Sequence, residues 1–169
     1  MRKIFFTLSF LLTLSIYGQN NIEISLQQDA RLLLFGDKKG NDALTVNLLT
    51  KLALPVYNFE NSYLLTYLSV EYADLVEKNY KRYSLGAGYA IKSIFGKIGA
   101  TAYADFGKIY RQKDGFFSVG FSGELSYKIT ERLKVICTQQ FTYRKDLKVL
   151  YNSKKEYVIS GFIGLKYRL

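Results

Sequence analysis

The sequence predicts an all-β protein: a closed, antiparallel, up-and-down transmembrane β-barrel of about eight strands, with a polar lumen and a lipid-facing apolar exterior. Three observations predict it. A basic and then apolar leader opens the chain. The remainder alternates apolar and polar residues with a period of two. The links between alternating stretches are compact at one end of the strands and longer and more polar at the other.

The leader is Met1-Arg2-Lys3, then an apolar run from Ile4 to Ile16 broken by Thr7, Ser9, Thr13 and Ser15, then Tyr17-Gly18. It reads as a secretory signal peptide over residues 1–18, cleaved after Gly18, which leaves residues 19–169 as the outer-membrane barrel domain. No cysteine follows the run to carry a lipoprotein anchor. The run is shorter than the ~20 residues of a spanning helix. No other segment reaches that length, so a membrane location requires a barrel.

Composition agrees with this class. The 169 residues include 15 Tyr, 12 Phe and a single Pro, which favours strands. Mean hydropathy is -0.03, far too polar for a helical membrane protein. A barrel can be this polar, because every second residue faces inward. The net charge is +10, and +8 without residues 1–18. An exported chain with no basic recognition motif gives no support to a nucleic-acid partner. Outer-membrane lipid and lipopolysaccharide phosphate suit the surface charge instead. Cys137 is alone, so no intramolecular disulfide can form.

The alternation begins at Ile22, with Ile24 and Leu26 set against Glu23, Ser25, Gln27, Asp29 and Arg31. It recurs around Leu48 and Leu52, Leu64 to Tyr72, and Tyr83 to Ile91. It is cleaner in the second half, around Ile98 to Phe106, Phe117 to Ile129, Leu133 to Tyr143 and Tyr157 to Leu169. Residues 55–61, 92–97 and 129–132 read as compact links. Residues 36–42, 73–81, 107–115 and 145–156 read as longer loops. Short turns then belong to the periplasmic rim, where both termini fall, and long loops to the extracellular rim.

One face carries large apolar residues, while the other carries Gly, Ser, Thr and opposed charges. A soluble ligand-binding barrel needs the reverse. A small lumen has room for side chains and little else, so the small, polar face is the inner one and the apolar face meets lipid. Tyr63, Tyr127 and Tyr167 near the short turns, and Tyr72, Tyr83, Phe106, Phe117, Phe141, Tyr143 and Tyr157 near the long loops, read as two interfacial girdles.

With the leader, the strand count, the Tyr127-Lys128-Ile129-Thr130-Glu131-Arg132-Leu133 turn and the final Ile163-Gly164-Leu165-Lys166-Tyr167-Arg168-Leu169 strand, the chain resembles the small outer-membrane barrels of the OmpA-transmembrane and OmpX kind from about residue 20 to 169. The resemblance implies that the final strand is read by the barrel-assembly machinery. Such strands often end in an aromatic residue; here Leu169 is last and Tyr167 is nearby.

Parity puts Glu23, Asp29, Arg31, Lys51, Glu71, Arg82, Asp105, Glu124, Lys128, Lys134 and Lys166 in the lumen. Buried charges must pair, so these read as a structural ion network, with a narrow low-conductance channel as an alternative. Histidine is absent. Barrel hydrolases and acyltransferases generally look to histidine for proton transfer. Ser118, Ser122 and Ser126 have no evident base, although Lys128 could serve one. No catalytic residue, metal site or cofactor is expected. The loops carry Lys38, Lys39, Lys113, Lys145, Lys148, Lys154 and Lys155, which read either as solvated charge or as contacts to an anionic surface. The expected role is non-enzymatic: envelope integrity, surface adhesion or interaction through basic extracellular loops. An accessory subunit bound to another outer-membrane protein is the alternative.

Overall fold

The computed structural model describes residues 22–37, 40–76, 79–112 and 114–169. The expected signal peptide, its cleavage site, Lys38, Lys39 and Lys113 lie outside the described residues. Among the described residues eight strands follow in order: β1 (Glu23–Asp29), β2 (Asn47–Asn58), β3 (Ser62–Ala73), β4 (Tyr80–Phe95), β5 (Ile98–Arg111), β6 (Asp114–Lys128), β7 (Leu133–Tyr143) and β8 (Tyr157–Arg168). A short helix α1 (Ala30–Leu34) follows β1, and α2 (Lys145–Tyr151) precedes β8. Each strand pairs antiparallel with the next. β1 closes on β8 from Glu23↔Arg168 to Asp29↔Phe162, so the sheet is a ring.

Ile22, the first described residue, and Leu169 share one rim, here the terminal rim, with the links at residues 59–61, 96–97 and 129–132. The expected link over residues 92–97 is mostly strand. β4 runs to Phe95 through a register shift after Ile91 and turns only at Gly96-Lys97, where Gly96 takes φ 56°. β2 likewise runs through Pro55, where its pairing with β3 shifts.

The opposite, far rim differs from expectation in two places. Residues 107–115 are not a long loop. β5 and β6 pair through Arg111↔Asp114, because inward Ile109 and outward Tyr110 and Phe117 carry the alternation to the tip. Arg31 is not in the lumen. Asp29 accepts from Leu32 N at 3.0 Å, which caps α1 and ends β1, and Arg31 is left exposed on the helix.

The outer face is apolar around the ring. Leu26, Leu68, Leu85, Phe106, Phe121, Leu125, Ile159 and Leu165 are all exposed, and Cys137 lies among them. Tyr127 and Tyr167, with Tyr57 and Phe59, lie toward the terminal rim, and Tyr83, Phe117 and Tyr157 lie toward the far rim. Tyr63 does not belong to a girdle. It is 6% exposed and points inward, because its parity in β3 matches that of Tyr67 and Glu71. An apolar belt on this scale would aggregate in water and is solvated by hydrocarbon. The barrel wall is tight where Gly86, Gly107 and Gly164 each meet a carbonyl of the neighbouring strand. A Cβ on Gly107 would lie 2.0 Å from the Tyr83 carbonyl oxygen, so β4 and β5 keep this approach only with glycine there.

Phe121 is 61% exposed and is paired with Ala104 and Phe141, far from either end of its strand. Replacing it with Arg should destabilise the barrel in phosphatidylcholine vesicles by about 2–4 kcal/mol, read as a lowered urea midpoint.

Candidate functional site

Inward positions from all eight strands converge in the lumen. Glu23 sits nearest the terminal rim. Lys134 donates to it at 2.7 Å and Tyr63 at 3.1 Å, while Lys166 lies 3.7 Å away and Arg168 3.8 Å away. The next tier is centred on Glu124, which is fully enclosed. Lys166 bridges to it, Lys51 stands 3.8 Å off, Tyr103 donates at 3.2 Å and Thr138 at 3.3 Å. The Lys51 ammonium lies 4.0 Å from the centroid of the Tyr103 ring, which meets Tyr67 edge-on at 5.0 Å.

A third tier holds Asp105. Arg82 bridges to it, and the Tyr67 hydroxyl donates to it at 2.7 Å. Arg82 also donates to Ser118 Oγ at 3.0 Å, and Ser118 donates to the Tyr143 carbonyl. The charges of one tier reach the next through tyrosines and shared lysines, so the lumen is a packed column rather than a bore. Ser118 is fully buried and spends its hydroxyl on structural bonds.

Glu71 lies above this column, where Tyr80 and Gln140 each donate to it at 3.4 Å. Asp146, also fully enclosed, forms a fork with Arg144 at 2.8 and 2.7 Å and lies 3.6 Å from Arg111. The Arg144 guanidinium stacks 4.1 Å from the Tyr80 ring centroid. This clamp was not anticipated. Arg144 and Asp146 fall past the end of the alternation in β7, where parity no longer assigns an inside, and the Arg144-x-Asp146 spacing is their one local hint, whereas Arg111 keeps the inward parity of Asp105 and Ile109 in β5. A hollow of about 820 Å³ opens above it between α1, α2 and the links. Asp29, Arg31, Glu71, Arg144 and Lys155 contribute to its wall. Asn41 donates to Asp37 and accepts from Val76 N at 2.8 Å, tying two links together.

The remaining charges with assigned roles lie at the rims. Lys128 is at the terminal rim, 40% exposed, bridged at 2.6 Å to Glu131 of the adjacent turn rather than into the column. That bond holds the Glu131 carboxyl below the usual range. Lys145, Lys148, Lys154 and Lys155 are exposed on the far rim, and Lys148 bridges to Glu156. Asp29 accepts from α1 and from Asn47 at the top of the lumen. Among the described residues no cluster of three or more His, Cys, Asp or Glu could hold a metal ion.

A closed ring of eight antiparallel strands, oily outside and interlocked by charge inside, has the fold of the small outer-membrane barrels. The outer-membrane protein Ail of Yersinia pestis, determined in a phospholipid bilayer nanodisc, superimposes with a TM-score of 0.52 at 14% identity, over 89% of this chain and 99% of that one. The crystal structure of Ail matches at 0.48 and 13% identity, over 89% and 97% of the two chains. Neisserial surface protein A matches at 0.47 and 11%, over 88% and 96%. No protein-family model matches the chain, and no curated protein does.

Two outcomes test these sites. Arg82→Met strands the Asp105 carboxylate and should cost about 3–5 kcal/mol in urea unfolding, whereas Arg82→Met with Asp105→Leu should recover most of that loss. The Lys148 bond lowers the Glu156 pKa, so the bridge persists above the usual glutamate range and is lost as pH falls through that depressed value. Lys148→Gln should return the Glu156 carboxyl titration, followed by NMR in micelles, to the ordinary range.

Proposed function

We propose that this protein is a non-enzymatic integral outer-membrane barrel that acts through the surface of its far rim, in envelope integrity, adhesion or interaction. The terminal rim then faces the periplasm with both chain ends. The observation that carries this reading is the filled lumen. Arg82, Asp105, Glu124, Lys166, Tyr67 and Tyr103 occupy its width and hold one another, which leaves no bore for a solute. The far rim, by contrast, carries two helices, an open hollow and exposed Lys145, Lys154 and Lys155, which suit lipopolysaccharide phosphates.

A second reading, an accessory subunit bound to another outer-membrane protein, is favoured by one observation. Leu34, Phe35, Leu44 and Val149 are all well exposed on the same rim, beyond the strands that form the apolar belt. Co-purification from detergent-solubilised outer membranes separates the readings, since a stoichiometric partner favours the subunit.

In planar bilayers the protein should show no defined open-channel current, and a stable unitary conductance would refute the plug. Replacing Lys145, Lys148, Lys154 and Lys155 together with Gln should weaken association with lipopolysaccharide micelles. An unchanged association removes the lipopolysaccharide contact from the proposal.

A further inference from the structure

The terminal rim holds a second concavity, unrelated to the far-rim surface. It is a pocket of about 200 Å³ at the mouth of the lumen, walled by Lys92, Lys97, Lys128, Lys134, Lys166 and Arg168. Its other walls include the hydroxyl-bearing residues Tyr63, Thr101 and Ser126. Among the described residues no carboxylate lines it. Three acids behind the walls answer part of this charge. Glu23 lies against Lys134, Lys166 and Arg168 at once, and exposed Glu131 meets Lys128. Glu124 is shared between Lys166 and Lys51.

Six cations therefore surround a small space with too few carboxylates to neutralise them. The pocket is also tied to rigid structure. Lys166 is buried, Lys134 is bonded to Glu23, and Lys92 donates to the carbonyls of Phe59 and Glu60 at 3.1 and 3.2 Å, which holds its head at the rim. Like charges fixed at close range repel, and a multivalent anion between them relieves that repulsion while accepting charge-assisted hydrogen bonds. The volume admits a tetrahedral oxyanion with a few waters, at roughly 30 Å³ per water.

We propose that this mouth is a binding site for a phosphate group, carried either by a small soluble anion or by the headgroup of a lipid in the adjoining leaflet. Lys97 and Lys128 are its outer walls and lie outside the buried column, so they can be changed without unpairing Glu23 or Glu124.

The test uses the protein folded in a maltoside detergent, which carries no phosphate of its own. Calorimetric titration with inorganic phosphate and pyrophosphate, against sodium chloride at equal ionic strength, should give saturable one-to-one binding where the ligand is a soluble anion. A parallel arm with short-chain phosphatidylglycerol locates the source. Binding of the lipid without binding of the free anions assigns the phosphate to a headgroup, and the reverse assigns it to a soluble ligand. The double variant Lys97→Gln with Lys128→Gln should weaken binding by about tenfold or more. Lys154→Gln with Lys155→Gln, at the other rim, should leave it unchanged. Heat-modifiable gel mobility checks that both variants remain folded. Heats indistinguishable from chloride in every arm, or equal loss in the two double variants, would overturn the site.

Discussion

Closing eight strands into a ring gives every strand an inner face shielded from bulk water over most of its length, and each charge there must find a counter-charge or hydrogen-bond donors within the barrel. The rest of the structure follows from this requirement. Glu124 on β6 is answered by Lys166 on β8 and Lys51 on β2; Asp105 on β5 is answered by Arg82 on β4. Such pairs do not add much net stability over well-packed apolar residues, because desolvation offsets most of the attraction. They do penalise wrong registers, since a slip of one residue in any strand turns its charge outward into the apolar belt and leaves its partner alone inside. The tyrosines complete the system. Tyr63, Tyr67 and Tyr103 fill the width that charges alone would leave open, and each donates its hydroxyl to a carboxylate of the column.

The fold was legible because a barrel writes itself in the sequence with a period of two. From Ile98 to Phe106 and from Phe117 to Tyr127 the outward residues, Gly123 apart, are large or methyl-bearing and the inward ones small or polar, and strand number and order follow from counting such runs. Legibility ended where the period ended. Arg31 continues the parity of Glu23 and Asp29 on paper, but Asp29 caps a helix and turns the chain out of the sheet. Tyr63 resembles an interfacial aromatic by position along its strand and belongs to the lumen by parity; here parity decides. The polar stretch at 107–115 resembles a loop because it holds Lys108, Arg111 and Asp114, yet its outward and inward sets still alternate and the strands continue through it.

The site-level features were harder to read because they depend on three-dimensional neighbours. The inner face was expected to be mostly small and polar. It also carries Leu49, Leu65, Ile109, Ile136 and Phe162, all buried. The Arg144–Asp146–Arg111 clamp joins the start of α2 to a hairpin tip more than thirty positions earlier, and only its Arg144-x-Asp146 half is local in sequence. The cationic mouth gathers residues from β3 through β8, each unremarkable by itself.

The first strand has only seven residues. It is fastened to β2 by six register pairs and to β8 by seven, whereas β5 and β6 share fourteen. Considered mechanically, the ring is a cask whose thinnest stave is also the one that closes it. Hoop tension around the wall is carried by the same backbone bonds everywhere, so the joints beside β1 bear the greatest load per bond. The inner charges answer this unevenness from within: Glu23 on the short stave is held by Lys134 on β7 and by Lys166 and Arg168 on β8, a strap across the seam that closes the ring.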